Sequence, residues 1–480
     1  QPSLHVYQRA GLLVTIARDA HDDQGIVRPN GAPTIRQIVP ARLKEVIRTT
    51  AGPREVALAS EVIARGEWAD IRPLDAIVSY PVVRRDGTIL TTSGYDAKTR
   101  TLADISIRVQ VPDVPTLADA RTALEMLTGL VSDFPFATDA HRSSWLAALL
   151  TVPARPAIDG PTPMLLLDAS ARGSGKTLLA DVISIVVTGD PAPRRTAPET
   201  AEEWRKVIFA MLLAGDPICL IDNVTRMLAS AALDAMLTGT TYQDRVLGVS
   251  EERRIPVRTV MIASANNCRV STDLVRRSVH CRLEPDVEHP ESRTGFRHAD
   301  LLGHVRRERS ALLGAALTIV RAYAVAGRPR VDSKPMGSYT AWCRVVRDAL
   351  VWAGAADPAA TQDGLSDDAD VERDELRDLL TAWHARLGDR AVTVKELLDA
   401  ANNRTPDAVK GTFRKPSEPN DSPGALLDAL RGIMPLGVEP SAHAIGHRLR
   451  TLRNQITGGL ALRHAEHADS HTKVKRWQVK

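Results

Sequence analysis

Apolar positions along the chain follow two different periods. Near the start, "HVYQRAGLLVTIARD" and "VVRRDGTILTT" alternate apolar and polar residues around Ala10-Gly11 and Asp86-Gly87. That alternation about a turn dipeptide predicts β-hairpins. Between them, "ARLKEVIRTT" and "REVALASEVIARG" repeat at helical spacing. The expectation is a small α+β module over residues 1–115, packed for structure and without evident chemistry.

From residue 116 the pattern changes. "TLADARTALEMLTGLV" predicts a helix opened by a capping box, Thr116 with Asp119. "TDAHRSSWLAALLT" predicts a second. Short apolar runs then alternate with helical stretches. "PMLLLDA" precedes "GKTLLADVISIVV", and "TAEEWRKVIFAMLLAG" (capped by Thr200 and Glu203) precedes "PICLID". "LASAALDAMLTG" precedes "RTVMIASANN", and "STDLVRRSVHCRLEP" closes the series. Strands that are apolar throughout are buried on both faces, which predicts a mostly parallel sheet between helical layers. The fold class is therefore α/β, with this core over residues 116–288.

Helical periodicity continues to "TAWCRVVRDALVWAG" and predicts an α-helical lid over residues 289–365. The small, acidic stretch "AADPAATQDGLSDD" predicts a boundary. Residues 366–480 contain "TVKELLDAA" with a capping box, Thr393 and Glu396, and "SPGALLDALRGIM" with Ser422 before Pro423 at a first helical position. "SAHAIGHRLRTLRNQI" places Ile445, Leu449, Leu452 and Ile456 on one face. "GLALRH" and "KVKRWQVK" read as two strands. Three helices and a hairpin describe a winged helix.

The 480 residues are 44% hydrophobic and 25% charged, which suits a soluble globular protein of several domains. No apolar run is long enough to span a bilayer and no secretory signal opens the chain. The first residue, Gln1, suggests a boundary with sequence upstream. Cys219, Cys268, Cys281 and Cys343 form no ligand spacing and read as reduced, mostly buried thiols of a cytoplasmic protein. The net charge is only +4, but residues 431–480 hold nine Lys/Arg against three Asp/Glu. That basic surplus points to a polyanion.

The chemistry begins at "DASARGSGKTLLAD". Gly175, Lys176 and Thr177 fit the end of a phosphate-binding loop, and Ser170 stands where its first glycine is expected. The backbone of Ser170, Gly173, Ser174 and Gly175 would cradle phosphates at a helix N-terminus. Lys176 would reach the β- and γ-phosphates of ATP, and Thr177 would hold Mg²⁺. Ser170 would be strained if its φ had to be positive. Asp222 ends an apolar strand 46 residues after Lys176, which suits a Mg²⁺-positioning acid. Asn223 follows it, where a glutamate often orients the attacking water. An amide cannot take a proton, so hydrolysis is slow or a base such as Glu199 or Glu202 supplies the function. Asn266 or Asn267 could fix water against the γ-phosphate. Arg276 or Arg277 could reach a neighbouring subunit's nucleotide, or form a solvated surface pair.

The order of these elements resembles the AAA+ ATPases over residues 116–350. Within them, "ASANNCRVSTDLVRRSVHCRLEP" and "AWCRVVRDALVWAG" are similar to the superfamily 3-like helicase region of phage and mobile-element primase-helicases. The resemblance implies a ring, usually hexameric, that moves on single-stranded or forked DNA, with a primase as partner or upstream domain. It also implies that the hairpin "YQDRVLGVSEERRIPV" reaches towards DNA, with Arg253 and Arg254 on phosphates. In the winged helix, Arg448, Arg450 and Arg453 (beside His447) and Lys473, Lys475 and Arg476 are the candidate DNA contacts. Trp477 reads as core. His464, His467 and His471 lack the partners of a metal site. The expected activity is an ATP-driven helicase or translocase. The alternatives are an ATP-gated replication initiator or loader, and an ATPase module of a defence system.

Overall fold

The computed structural model describes residues 6–17, 34–37, 61, 66–225, 227–245, 252–268, 270–287, 289–402, 424–434, 439–453, 456–465 and 476–480. The helices expected at 41–50 and 54–65 lie outside these residues, apart from residue 61. The chain divides into two compact units, residues 1–365 and 366–480.

The first unit is built on five strands: β1 (Met164–Ala169), β2 (Arg194–Thr196), β3 (Ile218–Val224), β4 (Val260–Ala265) and β5 (Ser278–Leu283). Their order across the sheet is β2-β3-β4-β1-β5. Every adjacent pair is parallel. Its helices include α1 (Leu117–Leu130), α2 (Asp139–Ala154), α3 (Lys176–Thr188), α4 (Ala201–Ala214), α5 (Ala231–Thr238), α6 (Thr272–Val275) and α7 (Leu301–Val325), and a further helical segment runs from 340 to 353. The capping box of Thr116 and Asp119 opens α1. Thr200, Ser230 and Ser271 cap α4, α5 and α6 through their hydroxyls.

Strand residues of both parities are buried, as the unbroken apolar runs require. Leu165, Leu167, Leu220, Ile262 and Val279 share one apolar cluster with α2, α3 and α7. Met164, Leu166, Cys219, Ile221 and Met261 point the other way and are equally buried. The helices expected as a lid belong to this same cluster, through Leu313, Leu317 and Ile319 of α7 and through Trp342, Val346 and Leu350. The cause is the run Leu312–Val320 of α7, in which every residue is buried. A helix apolar all round must sit inside a core.

The N-terminal segment packs into the same unit. Val6–Arg9 and Leu12–Ala17 pair across Ala10-Gly11, both with positive φ, the geometry of a two-residue hairpin turn. Val82–Val83 and Ile89–Leu90 pair across the Asp86-Gly87 turn. At Gly87, φ is +81° and a Cβ would lie 2.4 Å from Ala324 of α7, so glycine alone allows this turn to rest on the helix. Arg9 donates to the Leu212 carbonyl at 2.7 Å, and Arg258 pairs with Asp75 at 2.6 Å.

The predicted break at "AADPAATQDGLSDD" is a short turn, Pro358–Ala360, followed at once by a helix over Thr361–Leu387. The acidic residues that marked the boundary are compatible with a helix, and only Pro358 interrupts. The division between the units falls inside this helix. In the second unit, helices Val394–Ala401, Ala425–Gly432 and Ala442–Thr451 precede strands Ile456–Thr457, Leu460–His464 and Trp477–Val479. These strands form one antiparallel sheet. Trp383, Leu397, Leu430, Ile445, Leu449 and Trp477 fill its core. The Thr393–Glu396 capping box is present. The second helix opens after Gly424, and Ser422 and Pro423 lie outside the described residues. Ile456 departs from the expected helical face. The helix stops at Thr451, and Ile456 sits on a strand with 63% of its surface exposed.

Candidate functional site

The glycine loop joins β1 to α3 in the interior of the sheet, because β1 lies between β4 and β5. Gly173 and Gly175 carry the loop's positive φ values, +73° and +92°. Ser170 has no positive φ, so the missing first glycine costs no backbone strain. Its N–H donates to the Leu283 carbonyl at 3.3 Å. Gly175 also meets a close neighbour: a Cβ there would lie 2.7 Å from the Phe134 ring. Ser174 turns inward and donates to the Ala171 carbonyl at 2.6 Å.

Lys176 is 9% exposed, and its ammonium donates to Asn266 Oδ1 at 2.7 Å. Burial lowers its pKa, against the opposing fields of Asp168 and Asp222. A buried ammonium with three donors and one neutral acceptor suits an anion. Thr177 Oγ1 lies 3.4 Å from Asp222 Oδ1. This hydroxyl–carboxylate pair has the hard oxygen donors that Mg²⁺ prefers. The residues present therefore fit a nucleotide phosphate and Mg²⁺.

Asp222 takes this direction from an irregularity in β3. The register against β4 shifts between Ile221 and Val224. Asn223 within the shift has φ +57°, in the left-handed region that Asn tolerates better than most residues. The carboxylate of Asp222 accepts from Ser264 Oγ at 2.5 Å, and Ser264 Oγ accepts from the Asn223 N–H at 2.9 Å. The Asn223 side chain is exposed. An asparagine in place of glutamate thus has a backbone reason. Ser264 was not identified from sequence, although a lone hydroxyl inside the apolar run "VMIASA" is a readable signal. Of the alternative carboxylates, Glu202 pairs with Lys206 at 2.9 Å. Glu199 lines a cavity of about 470 Å³ with Trp204, Val224 and Asp273, beside the end of β3.

The two asparagines separate in role. Asn266 faces Lys176. Asn267 has φ +47°, and its N–H donates to the Ala169 carbonyl at 3.1 Å. Its side chain donates to the Ser170 carbonyl at 3.4 Å and accepts from Arg282 at 3.3 Å. Arg282 also donates to Asp168 Oδ2 at 2.7 Å, and Asp168 Oδ1 accepts from the Cys268 N–H at 3.1 Å. Burial would raise the Asp168 pKa, but its partners outweigh burial and hold it low. Sequence reasoning missed this group. Its signal is the polar residues Asp168, His280 and Arg282 inside otherwise apolar strands.

Behind it, His141 and His280 meet edge to face, with ring centroids 5.3 Å apart. His141 is pushed down to about 4, first by burial and then by the neighbouring His280. The unfolded chain protonates this imidazole near its ordinary 6.5, whereas the folded chain resists until about 4. The unfolded state therefore binds more protons in that window, and stability falls as pH falls through it. The melting temperature should drop between pH 7 and pH 5, and His141→Gln should flatten that drop. Parallel melting profiles for the two proteins would assign the dependence to other groups.

The arginines at the end of α6 also separate. Arg277 is held by Asp234 at 2.9 Å and Asp273 at 3.2 Å, and only 23% of its side chain is exposed. Arg276 projects outward, 79% exposed, with Asp273 at 3.8 Å. In the hairpin of Thr241–Arg245 and Glu252–Pro256, Arg253 donates to the Ala10 and Gly11 carbonyls at 3.2 and 3.3 Å. Arg253 is thus engaged with the N-terminal turn. Arg254 is exposed and donates to Thr241 Oγ1 at 3.0 Å.

In the second unit, Arg448 donates to the Ile433 carbonyl at 3.0 Å. Arg476 bonds the Ala391 carbonyl at 3.2 Å and Glu396 at 3.3 Å. Arg450, Arg453 and His447 are exposed. Lys473, Lys475, His467 and His471 lie outside the described residues. His464 packs against the buried Trp477, with centroids 3.9 Å apart.

No family model matches this sequence, and no curated protein matches it. Solved structures similar to it include the apo NrS-1 C-terminal region, at a TM-score of 0.40 and 10% identity, covering 98% of this chain and 95% of that one. The active helicase Cch of SCCmec type IV is similar at a TM-score of 0.34 and 12% identity, covering 99% and 97%. The JCV helicase is similar at 0.23 and 12%, covering 49% and 67%. Helicases are thus among its structural neighbours. No helix among the described residues is long and apolar enough to cross a membrane.

Proposed function

We propose that this chain is an ATP-dependent DNA helicase or translocase that acts as a ring, in replication of a phage or mobile element. One observation carries the reading. Lys176, Thr177, Asp222 and Asn266 converge at the carboxyl edge of three adjacent parallel strands, with 2.7 Å between Lys176 and Asn266 and 3.4 Å between Thr177 and Asp222. In an open parallel sheet, that edge is where ligands bind.

In this reading Lys176 and the loop N–H groups hold the phosphates. Thr177 and Asp222 hold Mg²⁺, which would neutralise charge on the β- and γ-oxygens. Asn266 orients the γ-phosphate end and Arg276 serves the neighbouring subunit's site. Arg254, Arg450 and Arg453 provide phosphate contacts to DNA, the last two on a winged helix. The helices from 289 to 365 act as the lid of the ATPase, although they share its core. A hexamer and a primase partner belong to the same proposal.

A second reading, an ATP-gated initiator or loader with weak hydrolysis, draws on Asn223. No carboxylate adjoins Asp222 in the chain to activate water. Strand displacement on a forked DNA separates the two. ATP-dependent displacement, lost in Lys176→Ala, is the expected result. ATP-dependent binding without displacement would favour the initiator.

A further inference from the structure

We propose that Asp168 and Arg282, acting through Asn267, form a positioning clamp that sets the phosphate loop against the Asn266 end of β4. This rests on the ATPase reading. The clamp spans three neighbouring strands. Asp168 lies on β1, Asn267 and Cys268 follow β4, and Arg282 lies on β5. Asp168 is nearly solvent-free, with 2% of its side chain exposed. A buried carboxylate requires partners, and here they include the Arg282 guanidinium at 2.7 Å, the Cys268 N–H at 3.1 Å and the His280 ring at 3.6 Å.

The guanidinium fork then reaches Asn267 Oδ1 at 3.3 Å, while Asn267 Nδ2 donates to the Ser170 carbonyl at 3.4 Å. Ser170 is the position where the loop lacks its first glycine. Its backbone is held from both sides, by Asn267 at the carbonyl and by the Leu283 carbonyl at the N–H. Asn267 is also the neighbour of Asn266, which bonds Lys176 at 2.7 Å. The clamp therefore fixes the loop entrance and the Lys176 partner relative to one another. It never touches the reacting atoms.

The geometry of a planar fork matters here. Lysine carries the same charge but cannot bond Asp168 and Asn267 in one plane. Arg282→Lys should therefore keep the fold and lose the link, and Asn267→Ala should cut the link while leaving the Asp168–Arg282 pair intact. A misplacement of about 1 Å can cost on the order of 10²-fold in rate. Each variant should lower kcat by about that factor, with a smaller change in KM for ATP; Arg282→Lys should keep a melting temperature close to wild type, whereas Asn267→Ala should lower it somewhat because φ there is +47°.

The deciding measurement combines Arg282→Lys with Asn266→Ala. If the clamp works through Asn266, the double variant should be no slower than the slower single variant. Losses that multiply would overturn the clamp, and so would wild-type turnover in Arg282→Lys. If the unaltered chain shows no Lys176-dependent hydrolysis at all, the ATPase reading falls and the clamp with it. Hydrolysis with multiplying losses removes the clamp alone.

Discussion

Lys176→Ala should abolish ATP turnover and weaken ATP binding, while the fold survives. The lysine ammonium is buried against Asn266, and burial lowers its pKa. A phosphate that met it would form charge-assisted hydrogen bonds at a site with little competing water. Such bonds are worth about 1.5–3 kcal/mol each, or roughly ten- to a hundredfold in affinity. Turnover should fall further, by about 10²–10³-fold or more, because the developing charge on the γ-phosphate loses its donor. Removal of the side chain leaves the neutral Asn266 acceptor and takes one positive charge from beside Asp168 and Asp222, so the loss of stability should be small beside the loss of turnover. The checks are hydrolysis rate, titration with a fluorescent ATP analogue, and a melting curve. Unchanged affinity and turnover would remove the nucleotide site from the account.

Arg276→Ala should spare ATP binding and lower turnover by about 10³-fold or more, the range of an arginine supplied in trans. Arg277→Ala should act differently. Its guanidinium neutralises Asp234, whose pKa burial already raises, so the main loss should be of stability. The test of action across a subunit boundary mixes two inactive proteins, Arg276→Ala and Lys176→Ala. In a ring, some interfaces would pair an intact Lys176 with an intact Arg276, and part of the activity should return only in the mixture. Sedimentation must show that both variants assemble and exchange subunits. With both conditions met, an absence of recovery would return Arg276 to the status of a solvated surface residue.

Much of the parallel-sheet core was legible in the sequence, for identifiable reasons. Strands buried on both faces must be apolar throughout, and "MLLLDA", "ICLID" and "VMIASA" are the β1, β3 and β4 cores. Helix starts were readable because their unsatisfied N–H groups recruit local side chains, as at Thr116, Thr200 and Thr393. Gly175, Lys176 and Thr177 stood out as candidates because a phosphate cradle depends on consecutive residues. The small, acidic stretch after Ala355 predicted a boundary, and the two units divide within it, at 365/366, although the chain there runs on as a helix from Thr361. One local rule misled. Ile456 had helical spacing but lies beyond the point where the helix ends.

What the sequence determined by itself was therefore local: the periods, the caps, the hairpin turns, and the residue types able to hold phosphate and metal. Only the tertiary structure decided which of them meet. The order β2-β3-β4-β1-β5 puts β4 between the loop strand and the Asp222 strand. That order brings Asn266 to Lys176 across 90 residues of chain and Ser264 to Asp222 across 42. It also parted equivalent candidates, leaving Arg276 exposed and tying Arg277 to Asp234. Arg253, read as a DNA contact, was found on the Ala10-Gly11 turn. The physical reason is the range of each interaction. Propensity and capping act within a few residues, whereas strand order and the burial of charge depend on how distant segments pack together.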